Sequence, residues 1–379
     1  MIVLKNKEDC CGCKSCEQIC PKNCISMKVD HEGFWYPIID KEFCIECGLC
    51  EKVCPELLKK EPITPIACYA CYTSDEQVRL KSSSGGVFTL LAEYVIAQKG
   101  VVFGAKFDTQ WNVVHGYTDS VNGLSEFRGS KYVQSDIGSS FAQVRSFLKQ
   151  GRQVLFTGTP CQVSGLNLFL NKEYENLLTM DFICHGVPSP KVWMDYLNSV
   201  IDRSDVIKQI SFRNKEQGWK RFSLKIATNT TRILETLDEN LYMKGFLQDL
   251  YLRPSCYVCN SKDFKSGSDI TVGDFWGIQN EMPEIDDDKG ISGVIINSTK
   301  GESVFSSLKD IYISAVNLNQ IAKYNPAIYR SVNKPLRRCD FFENYRSEIL
   351  LSRLETLTKR RLSVRVKSKI ESIIKKTLI

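Results

Sequence analysis

The sequence predicts a small cysteine-rich α+β module over residues 1–60, a larger α/β domain over residues 66–338 and a basic helix over 345–379. Two observations carry this division. Ten of the seventeen cysteines stand between Met1 and Lys60, and from Ile66 onward short apolar strands alternate with segments of helical spacing. Between them Glu61–Pro65, with two prolines, reads as a linker. A chain of 379 residues that is 43% hydrophobic and 25% charged can bury real cores.

In the module, Cys10-x2-Cys13-x2-Cys16-x3-Cys20-Pro21 returns farther along the chain as Cys44-x2-Cys47-x2-Cys50-x3-Cys54-Pro55. This is the spacing of bacterial ferredoxins. A [4Fe–4S] cube needs four thiolates converging on its corners; three come from one tight loop, and the fourth cysteine of each run crosses to the other cluster. On that rule Cys10, Cys13, Cys16 and Cys54 hold one [4Fe–4S] cluster, and Cys44, Cys47, Cys50 and Cys20 hold the second. Ile25–Val29 and Phe34–Ile38 alternate as two strands around the turn Asp30-His31-Glu32-Gly33. Zinc also uses CxxC pairs, but it closes with four ligands and needs neither the third x2-spaced cysteine nor the crossover. Cys11 and Cys24 fall outside the register and read as small packing residues.

In the larger domain, Gly86–Gln98 is apolar at helical spacing (Val87, Leu90, Leu91, Tyr94, Val95) and stops at Gly100. Val101–Phe107 and Trp111–Tyr117 read as paired strands. Helix Ser139–Lys149 precedes strand Gln153–Thr157, and helix Pro190–Ile201 separates strands Leu177–Cys184 and Val206–Phe212. Ile270–Trp276 is a further strand, and the C-terminal helix is apolar at Ile349, Leu350, Leu354 and Leu357.

Four more cysteines stand in distinctive settings: Cys161 in Thr157-Gly158-Thr159-Pro160-Cys161-Gln162, Cys184 in Ile183-Cys184-His185-Gly186, and the pair Cys256-x2-Cys259. The first two each follow an apolar strand, where loops of an α/β sheet present side chains to a site. With the CxxC pair they make four thiolates, enough for a third [4Fe–4S] cluster. Buried apolar cysteines beside a zinc half-site are the competing reading of the spacing alone. The lone pair Cys68 and Cys71, and Cys339, read as incidental thiols.

At these residues the sequence resembles the coenzyme F420 hydrogenase/dehydrogenase beta-subunit family. The resemblance rests on Lys81-Ser82-Ser83-Ser84-Gly85-Gly86-Val87-Phe88, Gly129-Ser130-Lys131-Tyr132-Val133-Gln134-Ser135 and Thr157–Gln162. It continues through Ile183–Gly186, Ser211–Lys215 with Gly218-Trp219, Cys256–Cys259 and Gly273-Asp274-Phe275-Trp276-Gly277. It implies an α+β ferredoxin-like dicluster domain followed by a larger α/β domain of the F420 hydrogenase/dehydrogenase beta-subunit type. It also implies an iron–sulfur flavoprotein oxidoreductase, in which FAD beside a [4Fe–4S] cluster exchanges a hydride with the deazaflavin coenzyme F420. Cys161, Cys184, Cys256 and Cys259 then become the ligands of that cluster.

The residues themselves argue less for FAD. No GxGxxG fingerprint occurs. Ser82–Gly86 opens a helix whose backbone N–H groups suit a pyrophosphate, and Lys81 adds positive charge; an ordinary serine N-cap is the alternative. The cofactor-binding candidates are Lys81, Ser82, Ser83, Ser84, Gly85, Gly86 and Lys131; no catalytic residue is assigned. Lys131, Arg213 and Lys215 read either as anchors for acidic ligands or as solvated cations. His185 reads as a tuning or proton-relay residue, or as a satisfied core histidine. Trp219 and Trp276 read as flavin-pocket walls or as core aromatics.

The formal charge of +6 is uneven: ten Lys or Arg stand against three Glu between Arg346 and Ile379, so the remainder is nearly neutral. A chain-wide basic field is missing, so no nucleic-acid partner is expected. The tail reads as a peripheral membrane or partner contact, or as a solvated helix. No apolar run is long enough to span a bilayer, so no transmembrane segment is expected, and Met1–Asp9 lacks the apolar part of a signal peptide. The expected compartment is the cytoplasm, where thiols stay reduced and cysteines serve metals. The expected partner is a redox protein or ferredoxin, with the deazaflavin coenzyme as hydride partner. A ferredoxin-linked reductase of another substrate, for example in cell-surface polysaccharide synthesis, and a pure electron-relay subunit are the rival readings.

Overall fold

The computed structural model describes residues 1–58 and 60–359. In the N-terminal module, β1 (Ile25–Val29) and β2 (Trp35–Ile39) pair antiparallel, with Ile25 opposite Ile39 and Val29 opposite Trp35. The turn between them is set by the Asp30 carboxylate, which accepts from the N–H groups of Glu32 and Phe34, and by Gly33 at φ +89°. Each cysteine run feeds a short helix, Ser15–Ile19 and Leu49–Lys52, entered through a left-handed residue, Lys14 and Gly48 respectively. The two halves thus repeat one local device.

The larger domain contains β3 (Ala67–Thr73), β4 (Val101–Phe107), β5 (Val113–Thr118), β6 (Val154–Thr157), β7 (Leu177–Phe182), β8 (Ile207–Asn214), β9 (Ser223–Thr228), β10 (Arg232–Thr236), β11 (Ile270–Asp274), β12 (Ser292–Ile296) and β13 (Ile311–Val316). Eight of these form one sheet in the order β13-β3-β12-β11-β7-β6-β4-β5. Only its centre, β11-β7-β6-β4, is parallel. Antiparallel pairs finish both edges, and β10-β9-β8 form a second, antiparallel sheet. The domain is mixed α/β. The expected alternation describes its parallel centre, whereas β3, β9, β10, β12 and β13 escaped the sequence reading.

Strand β6 is buried at every residue because both faces of the sheet are covered. Leu155 packs with Val87, Leu91 and Val95 of the helix Val87–Ala97 on one side. Val154 and Phe156 pack with Phe141, Val144, Val163 and Leu166 from the helices Ser140–Lys149 and Pro160–Leu170 on the other. Near the C-terminus the described helix is Leu350–Thr358, with Leu350 and Leu354 buried. Residues 360–379, most of the cationic tail, lie outside the described residues. Among the described residues no helix is long and apolar enough to cross a membrane.

The module is docked on the larger domain. Ser15 Oγ donates to the Gly165 carbonyl at 3.0 Å, and the Ala142 N–H donates to Gln18 Oε1 at 3.0 Å. Gln134 Nε2 donates to the Cys11 carbonyl at 3.1 Å, while Arg253 reaches the Cys10 and Trp35 carbonyls. Gly12 makes this approach possible. It sits at φ +74°, and a Cβ there would fall 2.7 Å from Gln134 Nε2 and 2.8 Å from Arg253 Nη1.

Candidate iron–sulfur and cofactor site

Two cavities open in the module. One is lined by Cys10, Cys13, Cys16 and Cys54 together with Cys11; the other by Cys20, Cys44, Cys47 and Cys50 together with Cys24. The crossed quartets expected from the spacing are therefore brought together, each around its own space. Burial pushes the Cys54 thiol up to about 12 and raises that of Cys16. Such a thiol becomes a thiolate when a cation takes the place of its proton, which is the chemistry iron supplies. Among the described residues no three His, Cys, Asp or Glu converge closely enough for a single ion. Ligands of a cube stand further apart, one at each iron corner.

The second set comes from three separate elements. Cys161 sits in the first turn of the helix Pro160–Leu170, fixed by a capping box between Thr159 and Gln162 and by Pro160 in that turn. Cys184 follows β7. Cys256 and Cys259 ride on the 3-10 turn Pro254–Val258 and its cap, held to the Cys184 loop by the Pro188–Leu252 bridge and by the Val187 N–H on Cys256 Sγ at 3.4 Å. These four thiols are close enough that their charges act on one another. Burial pushes Cys184 up to about 11 and Cys259 up to about 12. The two sets also border one another: Cys13 Sγ lies 3.0 Å from where a Cβ would stand at Gly165, in the helix that carries Cys161, and Cys13 and Cys161 push the buried Cys11 thiol up. Cys11 and Cys24 are buried as expected of packing residues. His185 lies beside Cys184 with Nε2 2.6 Å from Asp249 Oδ1.

The Lys81–Gly86 segment links the helices Glu76–Lys81 and Val87–Ala97. The N-cap of the second is Gly86 at φ +92°, not a serine. All three serine hydroxyls are engaged: Ser82 donates to the Val78 carbonyl, Ser84 to the Ile291 carbonyl, and Ser83 meets Ser130 at 2.9 Å. That last contact joins the Lys81 and Gly129 motifs, whose sequence separation hid it. Lys81 itself is exposed.

Neither reading of the nearby cations as free anchors or solvated charges describes Arg213 and Lys215. Arg213 pairs with Asp274 at 2.6 Å and donates to Tyr132 and the Ser83 carbonyl. Lys215 is held by the carbonyls of Arg79, Ser84 and Lys289 and pushed down to about 7 by burial. Lys131 donates to the Glu126 and Arg128 carbonyls, and burial pushes it down to about 7. Next to it, Gly129 at φ +84° faces open space, with nothing within 4 Å of where a side chain would begin. Trp219 and Trp276 stack on each other at 4.9 Å; Trp219 is core, Trp276 half-buried.

Sequence reasoning missed His115. On β5 its ring stacks on Phe156 at 5.5 Å and its Nε2 lies 3.0 Å from the Thr157 carbonyl, so Nε2 carries the proton. Its Nδ1 is buried without a partner, and burial pushes the ring down to about 4. Because the folded value lies below the unfolded one of about 6.5, the neutral ring's full stabilisation is present above that pH and is lost as pH falls toward 4. His115→Gln should therefore gain about 2–3 kcal/mol relative to the native chain between about pH 7 and about pH 4.5. Urea unfolding of both chains at the two pH values measures this; a constant difference would mean that the buried ring does not titrate as described.

Residues 151–320 match the family described as the C terminus of the coenzyme F420 hydrogenase/dehydrogenase beta subunit, and residues 9–57 match the 4Fe-4S dicluster domain. No curated protein matches the chain. Among solved structures, a chain of the F420-reducing [NiFe] hydrogenase complex from Methanosarcina barkeri, studied as a xenon derivative, is similar at 14% identity and a TM-score of 0.47. The match covers 79% of this chain and 94% of that one. The chain thus joins a 4Fe–4S dicluster domain that supports two [4Fe–4S] clusters to the C-terminal region of the coenzyme F420 hydrogenase/dehydrogenase beta-subunit family, and is an iron–sulfur electron-transfer protein related to that subunit.

Proposed function

We propose that this protein is an iron–sulfur flavoprotein oxidoreductase with three [4Fe–4S] clusters and one FAD, whose hydride partner is a deazaflavin of the F420 type. The observation that carries the reading is the packing of the Cys13–Ser15 loop on the helix that bears Cys161, with Cys13 Sγ 3.0 Å from the Cβ position of Gly165 and Ser15 Oγ donating to the Gly165 carbonyl at 3.0 Å; it would give a hydride-handling domain and a dicluster module a common border. The dicluster domain would comprise residues 1–60, with the crossed quartets as ligands, and the flavin domain residues 66–338. Cys161, Cys184, Cys256 and Cys259 would hold the third cube. The flavin supplies the exchange between a hydride and single electrons, and the cubes supply one-electron carriage.

The chain's own residues support such a site. The helix that begins after Gly86 carries the partial positive charge of a helix N-terminus at that turn. Lys131, desolvated and held only by carbonyls, adds a cation that an anionic pyrophosphate would complement. Arg213 and Lys215 fix the carbonyls of Ser83 and Ser84 and so set the course of the loop. The outlet toward a redox partner protein would be the second cluster, because Cys47 is exposed and Ile45 and Leu49 border its cavity.

Anaerobically purified protein should hold one flavin and about twelve irons, three cubes of about four each. Flavin with turnover of the deazaflavin is the expected result. Flavin without that turnover would assign another substrate, and protein without flavin would leave an electron relay.

A further inference from the structure

We propose that Arg253 holds up the reduction potential of the first cluster by acting as its buried counter-charge. This rests on the reading that Cys10, Cys13, Cys16 and Cys54 ligate a cube. Four arginines are buried among the described residues: Arg79, Arg213, Arg253 and Arg338. Three of them pair with a carboxylate: Arg79 with Asp287, Arg213 with Asp274 and Arg338 with Glu32. Arg253 is the most buried of the four, at 0% exposure, and its hydrogen bonds go to neutral acceptors. Nε donates to the Cys10 carbonyl at 2.7 Å, Nη1 to Gln134 Oε1 at 3.0 Å and Nη2 to the Trp35 carbonyl at 2.8 Å. The ring of Tyr36 lies 4.6 Å from the guanidinium and that of Phe34 5.4 Å. The Glu56 carboxylate acts on it from beyond ion-pair reach and is itself bonded to Asn260.

A guanidinium cannot shed its proton in a protein, and an unpaired buried charge is costly. Something anionic must therefore complement Arg253, and it is bonded to the main chain of a first-cluster ligand. An oxidised cube with four thiolates is already anionic, and on accepting one electron and no proton it gains one further negative charge. A fixed cation beside it stabilises the reduced form more than the oxidised form. Arg253 is thus a positioning residue that also acts electrostatically. It fixes the Cys10–Cys13 loop and makes its cluster easier to reduce. Among the described residues, no buried arginine is bonded to the second quartet, at the exposed end of the module.

The test is an anaerobic titration of the full holoprotein with dithionite and mediators, followed by electron paramagnetic resonance; the step lost in Cys54→Ser identifies the first cluster. In Arg253→Gln, at a fixed potential, the reduced-to-oxidised ratio of that cluster should fall about tenfold, about 59 mV for one electron. The second cluster should titrate unchanged. Arg253→Lys, which keeps the charge, and Gln134→Met, which removes an uncharged member of the same clamp, should both stay close to the native curve. If Arg253→Gln does not load its clusters, these last two decide the matter. An unmoved first cluster in Arg253→Gln, an equal fall of both clusters, or an equally large fall in Gln134→Met or Arg253→Lys would overturn the proposal. Absence of a reducible first cluster in the native protein, or its survival in Cys54→Ser, would instead sink the ligand assignment.

Discussion

Replacing Cys256 and Cys259 together by serine should lower the iron content from about twelve to about eight atoms per chain, with the two module clusters retained. The argument is one of separate scaffolds. The module quartets are supplied by residues 10–54 and line two cavities of their own. The third set is assembled from the first turn of the helix Pro160–Leu170, the loop after β7 and the turn Pro254–Val258. Serine is nearly isosteric, and its hydroxyl can accept the Val187 N–H that now reaches Cys256 Sγ, so local packing should survive while the soft ligand is lost. A serine pair still holding about twelve irons would show that these cysteines ligate nothing. A fall well below about eight would show that the first cluster needs its neighbour in order to assemble. Bound flavin, counted in the same sample, separates loss of the third cube from collapse of the domain.

What the sequence revealed follows from where its information lies. Cluster spacing is local, so two x2-x2-x3 runs pick out the crossed quartets that line the two cavities without any knowledge of the fold. Helical spacing is local too: the expected Gly86–Gln98 and Ser139–Lys149 helices appear as Val87–Ala97 and Ser140–Lys149. The antiparallel edges were harder, because β3 pairs with β12 and β13, far downstream in the chain, and nothing local in its Ala67–Thr73 run, with two cysteines read as incidental thiols, points to those partners. In the fold Cys68 and Cys71 are buried strand residues. Cations were least legible. Lys215 and Arg213 read as surface charges or anchors until their partners are known, and those partners are the carbonyls of Arg79, Ser84 and Lys289 and the Asp274 carboxylate. Arg253 drew no reading from the sequence at all, because the carbonyl it bonds, that of Cys10, stands far upstream in the chain.

Replacing Arg338 by alanine should destabilise the folded protein by about 3–5 kcal/mol, one of the largest effects of any single change outside the cysteines. Its guanidinium donates Nη1 to Glu32 Oε1 at 3.0 Å and Nη2 to Glu32 Oε2 at 2.6 Å, and it also donates to the Leu252 carbonyl. Both side chains are nearly excluded from solvent, at 5% and 8% exposure. Alanine would strand the Glu32 carboxylate in a site that has replaced its water, and would release the main chain one residue before Arg253. Replacing both partners by methionine should recover much of the loss, since a well-packed apolar pair avoids the desolvation that the ions endure. Urea unfolding followed by cluster absorbance measures each arm, and a double variant no better than Arg338→Ala would assign the cost to lost packing instead. The distinction matters because Glu32 lies in the β1–β2 turn, while Arg338 belongs to the helix Arg337–Phe342 of the larger domain. If the ion pair supplies the coupling, weakening it should loosen the module as a unit: both module clusters should bleach together, ahead of any unfolding of the large sheet.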